Sequence, residues 1–326
     1  MQSGNKKILI IRTGAIGDVV HTTNLVHSVK KTYPNTIIHY LTSDLTAPLI
    51  KSDYNIDKIL TIDTKFKLFT KYTFNYATQL KKENYDLVIN LQPSLKMRGL
   101  VLLAGIKKQT IYKKDFKLHA VTNFFRTGLK EFPDIKEEKE MHLYLPQVAV
   151  DEAKKLLNNY KRPFIVINAG GVFAKRQGRT YPVEKWLILC NKIQEKYNGT
   201  IIFTGSNEDK EILAPLEEVK NSINFIGKLS LENSCGVISQ ADLMISGDSG
   251  PLHIATALGV NSIGLYGSMP INRTGCYCNG INIQSKKACV PCNRRKCKYI
   301  KNTKKLYTPC MEEIDVNTIM ENISLS

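Results

Sequence analysis

No stretch of this 326-residue sequence approaches the ~20 consecutive apolar residues that span a bilayer. Leu100–Ile106 is apolar, but Gly105 interrupts it and Lys107 and Lys108 follow. The opening residues, Met-Gln-Ser-Gly-Asn-Lys-Lys, carry neither a secretory h-region nor a cleavage site and lead straight into a strand-like run. The expectation is a protein without membrane spans that stays in the cytoplasm. Low-complexity tracts are absent as well. Acidic side chains are in short supply: 29 stand against 46 basic ones, leaving a formal charge of +17. A surplus of that size points to an anionic partner. Nucleic acid, an acidic membrane face and a phosphorylated or carboxylated glycan all fit, and so does a set of solvated lysines.

What is present is a globular composition, 43% hydrophobic, in a chain long enough for two domains of ordinary size. Ile8–Ile11 reads as a buried strand, followed by a glycine loop and a helix over Val19–Lys31 with apolar residues at helical spacing. Strands are expected at Thr36–Leu41, Ile59–Ile62 and Leu87–Leu91. The pattern restarts at Phe164–Asn168, with further strands at Thr200–Phe203, Asn224–Ile226, Leu243–Ser246 and Ser262–Tyr266. Helices are expected at Pro182–Lys196, Glu211–Val219, Leu231–Gln240 and Leu252–Leu258. Alternation of this kind implies an α/β fold with parallel sheets covered on both faces, and ligands at the carboxyl ends of the strands. The expected domains are residues 1–155 and 156–326, joined near Pro146–Pro163, where Asp151–Tyr160 reads as helical.

Two loops carry most of the chemical signal. In the first, Arg12-Thr-Gly-Ala-Ile-Gly17-Asp18, the glycines permit a tight turn and close approach of a ligand. Asp18 then falls in the first turn of a helix, where the dipole favours a carboxylate. It reads either as an N-cap or as a general base in a cleft. The loop is neither a Walker A element nor a Gly-x-Gly-x-x-Gly fingerprint. The second loop is Gly247-Asp248-Ser249-Gly250-Pro251-Leu252-His253. A buried strand ends there and Pro251 suits the first turn of the next helix, whose backbone N–H groups make a seat for a diphosphate. Ser249 offers a hydroxyl and Gly250 allows close approach. Asp248 is placed to accept from sugar hydroxyls or to cap, and His253 either serves the site or is a packed, hydrogen-bonded histidine. Gly170-Gly171 with Lys175, Arg176 and Arg179 would hold phosphate oxygens; Asp209 sits where an acidic residue meets a ribose; Leu229 would pack on a flat base.

At these residues the sequence resembles glycosyltransferase family nine, the ADP-heptose–lipopolysaccharide heptosyltransferases. The resemblance covers nearly the whole length and rests on Lys7–Leu25, on Tyr85–Leu91 with Gln92-Pro-Ser, on Arg179-Thr-Tyr-Pro with Trp186, and on Ala241 through Gly267. It implies the GT-B architecture, two Rossmann-like domains facing an interdomain cleft. It implies Asp18 as catalytic base, with Gly17, Gly170, Gly171, Arg179, Asp209, Leu229, Asp248, Ser249, Gly250 and His253 on the donor. Arg179 stands where the family usually has a phosphate-binding lysine, and Ser249 where threonine is common.

The reaction implied is inverting transfer of a heptose or related sugar from an ADP-sugar to an anionic lipopolysaccharide-core glycolipid at the inner membrane's cytoplasmic face. Another nucleotide sugar is the alternative donor. The Asp-x-Asp pattern of the other major transferase architecture is missing, so no cofactor is required for catalysis. Lys65, Lys96 and Arg98 are the acceptor candidates, within a wider basic set that includes Lys67, Lys71, Lys113, Lys114, Lys117 and Arg126.

Of eight cysteines, Cys190 and Cys235 read as small core residues and the other six crowd into 276–310. Cys289, Cys292, Cys297 and Cys310 form C-x₂-C-x₄-C-x₁₂-C, a spacing open to structural zinc, an iron–sulfur cluster, disulfides or free thiols. Lys286–Lys305 holds many basic and no acidic side chains, which favours thiolates. The same segment would suit a zinc-stapled nucleic-acid module. It has few aromatics, Tyr299 and Tyr307, and no recognised module, so nucleic acid is not expected.

Overall fold

The computed structural model describes residues 6–170, 179–294, 296–300 and 306–325. Two compact units divide at Tyr144/Leu145. The first contains β1 (Lys7–Ile11), α1 (Ile16–Thr32), β2 (Ile37–Thr42), β3 (Lys58–Thr61), α2 (Lys71–Lys82), β4 (Leu87–Asn90), α3 (Leu95–Leu103), β5 (Gln109–Ile111) and α4 (Ala120–Leu129). The second contains α5 (Gln147–Leu157), β6 (Phe164–Asn168), α6 (Val183–Tyr197), β7 (Thr200–Phe203), α7 (Lys210–Leu213), β8 (Ser222–Asn224), α8 (Leu231–Ser239) and β9 (Leu243–Gly247). It continues with α9 (Gly250–Ala257), β10 (Ser262–Tyr266), α10 (Ile271–Thr274), β11 (Gly280–Gln284), α11 (Pro309–Glu313) and α12 (Val316–Glu321).

The first sheet runs β3-β2-β1-β4-β5 and the second β11-β10-β9-β6-β7-β8. Every pairing in both is parallel. The strand order reverses between β1 and β4 in one unit and between β6 and β9 in the other. Those are the switch points where the loops at the carboxyl ends part and leave a crevice for a ligand.

The central strands carry near-continuous apolar runs because both faces are covered. Ile8, Leu9, Ile10 and Ile11 are fully buried in β1, as are Ile165, Val166 and Ile167 in β6. Trp186 on α6 is fully buried against the second core with Ile201, Phe203 and Met311. At about 25 cal/mol per Å² of apolar surface, such side chains supply most of the drive to fold.

Most expected elements form within a residue or two of their bounds. The domain break falls earlier than residue 155, because α5 packs on α8 of the second unit. Gly236 lies so close to the Ala149 carbonyl that an added Cβ would collide with it. The expected helix Glu211–Val219 is the short α7 followed by a 3₁₀ segment, Ala214–Glu218, since Pro215 cannot continue the hydrogen-bond ladder. Pro182 is the N-cap of α6 rather than its first helical residue. No helix among the described residues is long and apolar enough to cross a membrane.

Candidate active site

In the first unit the chain leaves β1 and turns at Gly14, whose φ of +143° suits glycine; a Cβ there would meet nothing within 4 Å, so the turn is open on that side. Ala15 caps α1 without a side-chain bond, and Asp18 is the third helical residue. The N-cap reading of Asp18 therefore fails. Its carboxylate turns instead to Arg12, with Nη2 of the arginine pairing to Oδ2. Arg12 also donates from Nη1 to the Leu91 carbonyl at 2.7 Å and stands over the Phe124 ring at 5.3 Å. These contacts join the loops after β1 and β4 at the switch point. The Arg12 side chain is 9% exposed and that of Asp18 31%, so the pair presents its carboxylate end outward. Gly17 is buried in the first turn of α1.

The sequence alone assigns Arg12 no role. Its signal was its place: the first residue after a buried strand, six before the acidic residue it holds.

In the second unit β9 ends at Gly247, where an added Cβ would strike the carbonyl oxygen of Arg179. Only glycine lets the strand end pass beneath that segment. Ser249 is the N-cap of α9, its hydroxyl accepting from the Leu252 N–H and lying 2.8 Å from Ser246 Oγ. Asp248 is thus freed from capping. Its carboxylate is 3% exposed, 2.5 Å from Arg179 Nη2 and 3.5 Å from His253 Nε2. Burial pushes the Asp248 carboxyl up, but the hydrogen bond from His253 and the Arg179 charge outweigh it and hold it below the ordinary range. The result is a buried anion clamped by two basic side chains beside a helix N-terminus. Gly250 is partly exposed at the first position of α9.

Other donor candidates lie at the same carboxyl edge. Asp209 is buried and forms a capping box with Ser206, accepting from its N–H at 3.0 Å and its hydroxyl at 2.7 Å. Gly170 passes directly over that carboxylate, where a Cβ would clash. Leu229 is half-buried just before Ser230, the N-cap of α8. Gly171, Lys175 and Arg176 lie outside the described residues.

The acceptor candidates separate. Lys96 Nζ bonds the carbonyl oxygens of Thr64 and Phe66 and sits 4.8 Å over the Phe66 ring, so it ties the loop after β3 to α3. Lys65 and Arg98 are exposed nearby. A stronger basic surface lies between β5 and α4, where Lys113, Lys114, Lys117, Arg126 and Lys130 line a cavity of about 570 Å³ with Asn123. Cys289, Cys292, Cys297 and Cys310 line a second cavity, of about 500 Å³. The eight cysteines form no disulfide with one another. Among the described residues no three metal-ligating side chains are gathered around one point. Neither cavity is lined by Asp18 or Asp248.

Two doubly wound sheets, with a clamped carboxylate at one switch point and an arginine-held one at the other, define an α/β protein of the nucleotide-binding type. Residues 112–303 match the model of glycosyltransferase family 9 (heptosyltransferase). The chain belongs to that family and is a sugar-transferring enzyme. It is 26% identical over 302 residues to lipopolysaccharide heptosyltransferase 1 of Campylobacter coli, covering 84% of this chain and 87% of that protein. A glycosyl transferase family 9 structure from Veillonella parvula DSM 2008 matches with a TM-score of 0.84 at 19% identity, over 98% of this chain and 97% of that one. The E. coli heptosyltransferase WaaC solved with ADP matches with a TM-score of 0.72 at 18% identity, over 97% and 98%. These structures share the two-domain GT-B fold.

Proposed function

We propose that this enzyme moves a heptose, or a closely related sugar, from an ADP-sugar to an anionic acceptor of the lipopolysaccharide core, with inversion at the anomeric carbon. The observation that carries the donor half is the clamp on Asp248 at the start of α9. A diphosphate at that turn receives the backbone N–H groups of the helix start, while Arg179 offers its planar fork to phosphate oxygens. Asp248, held as an anion, accepts from sugar hydroxyls. The WaaC complex with ADP supports adenosine diphosphate as the nucleotide.

The first unit supplies the base. Asp18 takes the proton from an acceptor hydroxyl as that oxygen attacks the anomeric carbon, and the bond to the diphosphate breaks on the opposite side. One carboxylate is enough, because the diphosphate leaves as a stable anion whose charge the helix amides and Arg179 bear. The reading needs no catalytic metal. The basic cavity at Lys113, Lys117 and Arg126 supports an acceptor that carries carboxylates or phosphates. Such an acceptor is a glycolipid, and the enzyme would meet it at the cytoplasmic face of the inner membrane.

Thermal shift with a panel of nucleotides tests the donor, since a ligand that binds the folded state raises its apparent stability by mass action. ADP should stabilise the protein selectively over UDP, GDP and CMP. Preference for another nucleotide would replace the ADP-sugar assignment by a different nucleotide sugar.

A further inference from the structure

We propose that the exposed stripe of α3, with the loop that leans on it, docks the first unit on an anionic lipid bilayer. The inference rests on the glycolipid acceptor of the reading above and adds the surface that brings the enzyme to it. Leu95 and Leu102 stand almost two full turns apart on α3, with Arg98 between them on the same side. Met97, Leu100 and Val101 take the opposite side into the core. Leu95 is 81% exposed and Leu102 79%, and the loop after β3 adds Phe69 at 74%. Large apolar side chains left in water gain nothing from folding; they gain only when something else covers them.

The backbone supplies a second, independent observation. Phe69 has φ +62°, a conformation that a bulky side chain rarely adopts. Its ring is too exposed for packing to account for that strain, so the surrounding loop imposes it. The hydroxyls of Thr70 and Thr73 both bond the Lys67 carbonyl, at 3.0 and 2.6 Å, and Thr70 caps α2. Leu68 lies against Gly99 of α3, where an added Cβ would strike it, and Lys96 bonds the Thr64 carbonyl. The loop is built onto the flank of α3 and holds Phe69 out to solvent.

Charge selects the occupant. Over residues 63–74 and 95–103 the exposed charges are Lys65, Lys67, Lys71 and Arg98 against one carboxylate, Asp63, which already accepts from the Lys65 N–H at 2.8 Å. A second copy of this chain, itself at +17, would be repelled. An anionic bilayer offers the opposite sign at its surface and an apolar layer just beneath, which suits Phe69 and the two leucines. The position fits as well. The stripe begins just after β4, where Arg12, the partner of Asp18, holds the Leu91 carbonyl. An acceptor sugar anchored in the bilayer is thereby presented at the sheet edge that carries Asp18.

The test uses the full chain and vesicles that contain no glycolipid, so docking is read apart from transfer. The parent should float with phosphatidylglycerol vesicles and far less with phosphatidylcholine. Phe69→Ser, Leu95→Gln and Leu102→Gln, combined, should lower the partition coefficient at least ~10-fold. Lys67→Gln with Lys71→Gln should lower it about fivefold per cation. Phe69→Trp gives a second readout, and decides should the combined variant melt early, because the chain's one tryptophan, Trp186, is fully buried. Its emission should shift to the blue with phosphatidylglycerol vesicles and be quenched by brominated lipid. Emission indifferent to excess vesicles overturns the proposal. So does equal flotation of the parent and the apolar variant, which would reduce binding to the diffuse attraction of a chain at +17. Dimerisation through these residues without vesicle binding would overturn it in favour of a second copy. ADP stabilisation without vesicle binding would remove this surface and leave the transferase reading standing; vesicle binding without ADP stabilisation would do the reverse.

Discussion

Arg12 and Asp18 form an ion pair at the start of α1, and the guanidinium is itself fixed by the Leu91 carbonyl at 2.7 Å and by the Phe124 ring. The arginine therefore positions the carboxylate; it does not merely neutralise it. Asp18→Asn should retain ADP binding and lose ~10²–10⁴-fold in kcat, the range for removal of a general base. Arg12→Met should lower kcat by at least ~10-fold with little change in donor KM, and Arg12→Lys should recover part of the loss. Near-normal turnover of Asp18→Asn removes Asp18 from the role of base.

Asp248 and Arg179 make the corresponding pair in the second unit. Arg179→Gln should weaken ADP ~10–100-fold, as expected when a charged hydrogen bond to phosphate is lost. Titration calorimetry reads this directly. The same pair shapes acid stability. The Asp248 carboxyl is held below its ordinary range by His253 and Arg179 in spite of burial, so its contribution is present above the unfolded value and is lost as pH falls through the folded one. Asp248→Asn should flatten the stability profile at the acid end. A mutant whose urea midpoints from pH 6 to 3 parallel the parent's would show that the pair contributes nothing there.

Histidines set a second pH window. His142 stacks on His27 with ring centroids 3.8 Å apart. Burial, then the neighbouring His27, lowers its pKa. His39 is lowered by burial and by Lys7. In both cases the unfolded chain takes up protons more readily, so stability is full above pH ~6.5 and falls as the pH drops below that value towards the folded pKa. His142→Gln should reduce the slope of unfolding free energy between pH 7.5 and 5. Denaturant titrations at several pH values measure it.

The fold was legible because its signals are local. Ile8–Ile11, Phe164–Asn168 and Ser262–Tyr266 are short apolar runs bounded by polar or glycine residues, and each forms a strand close to the expected bounds. The elements missed include β5, α3, α4, β11 and the short helices α10, α11 and α12, whose patterns are mixed or brief: Gln109–Ile111 is a three-residue strand and α3 carries exposed Leu95 and Leu102. Asp18 and Asp248 stand out in the sequence as candidates too, but the arginines they meet do not. The ambiguity between cap and functional carboxylate at Asp18 and Asp248 depends on which neighbour the side chain meets. Ala15 and Ser249 take the two N-cap positions, while Asp209 does serve in a cap. Only tertiary geometry separates these cases. The strongest basic cluster was diluted in the sequence among lysines of similar appearance, and Lys96 proved to bind backbone carbonyls.

That basic cluster offers a separable test of the acceptor. Lys113→Gln, Lys117→Gln and Arg126→Gln, combined, should raise acceptor KM and leave ADP affinity unchanged. The parent's acceptor KM should also rise with salt more steeply than the variant's, because exposed charges are screened within ~10 Å at 0.1 M. An unchanged KM and salt dependence would leave these residues as ordinary solvated lysines.

Gly247 and Gly259 provide a last contrast, between collision and conformational strain. Gly247 lies under the Arg179 carbonyl, where a methyl group has no room; Gly259 has φ +77° with nothing within 4 Å of an added Cβ. Gly247→Ala should cost ~1–3 kcal/mol, the scale of overpacking, and should displace Arg179. Gly259→Ala should cost ~1–2 kcal/mol from the left-handed backbone alone. The two variants are therefore expected to lose similar stability but to differ in function: ADP affinity falls for Gly247→Ala and holds for Gly259→Ala. Equal ADP affinities in both, measured well below their melting temperatures, would show that the Arg179 segment does not depend on the glycine beneath it.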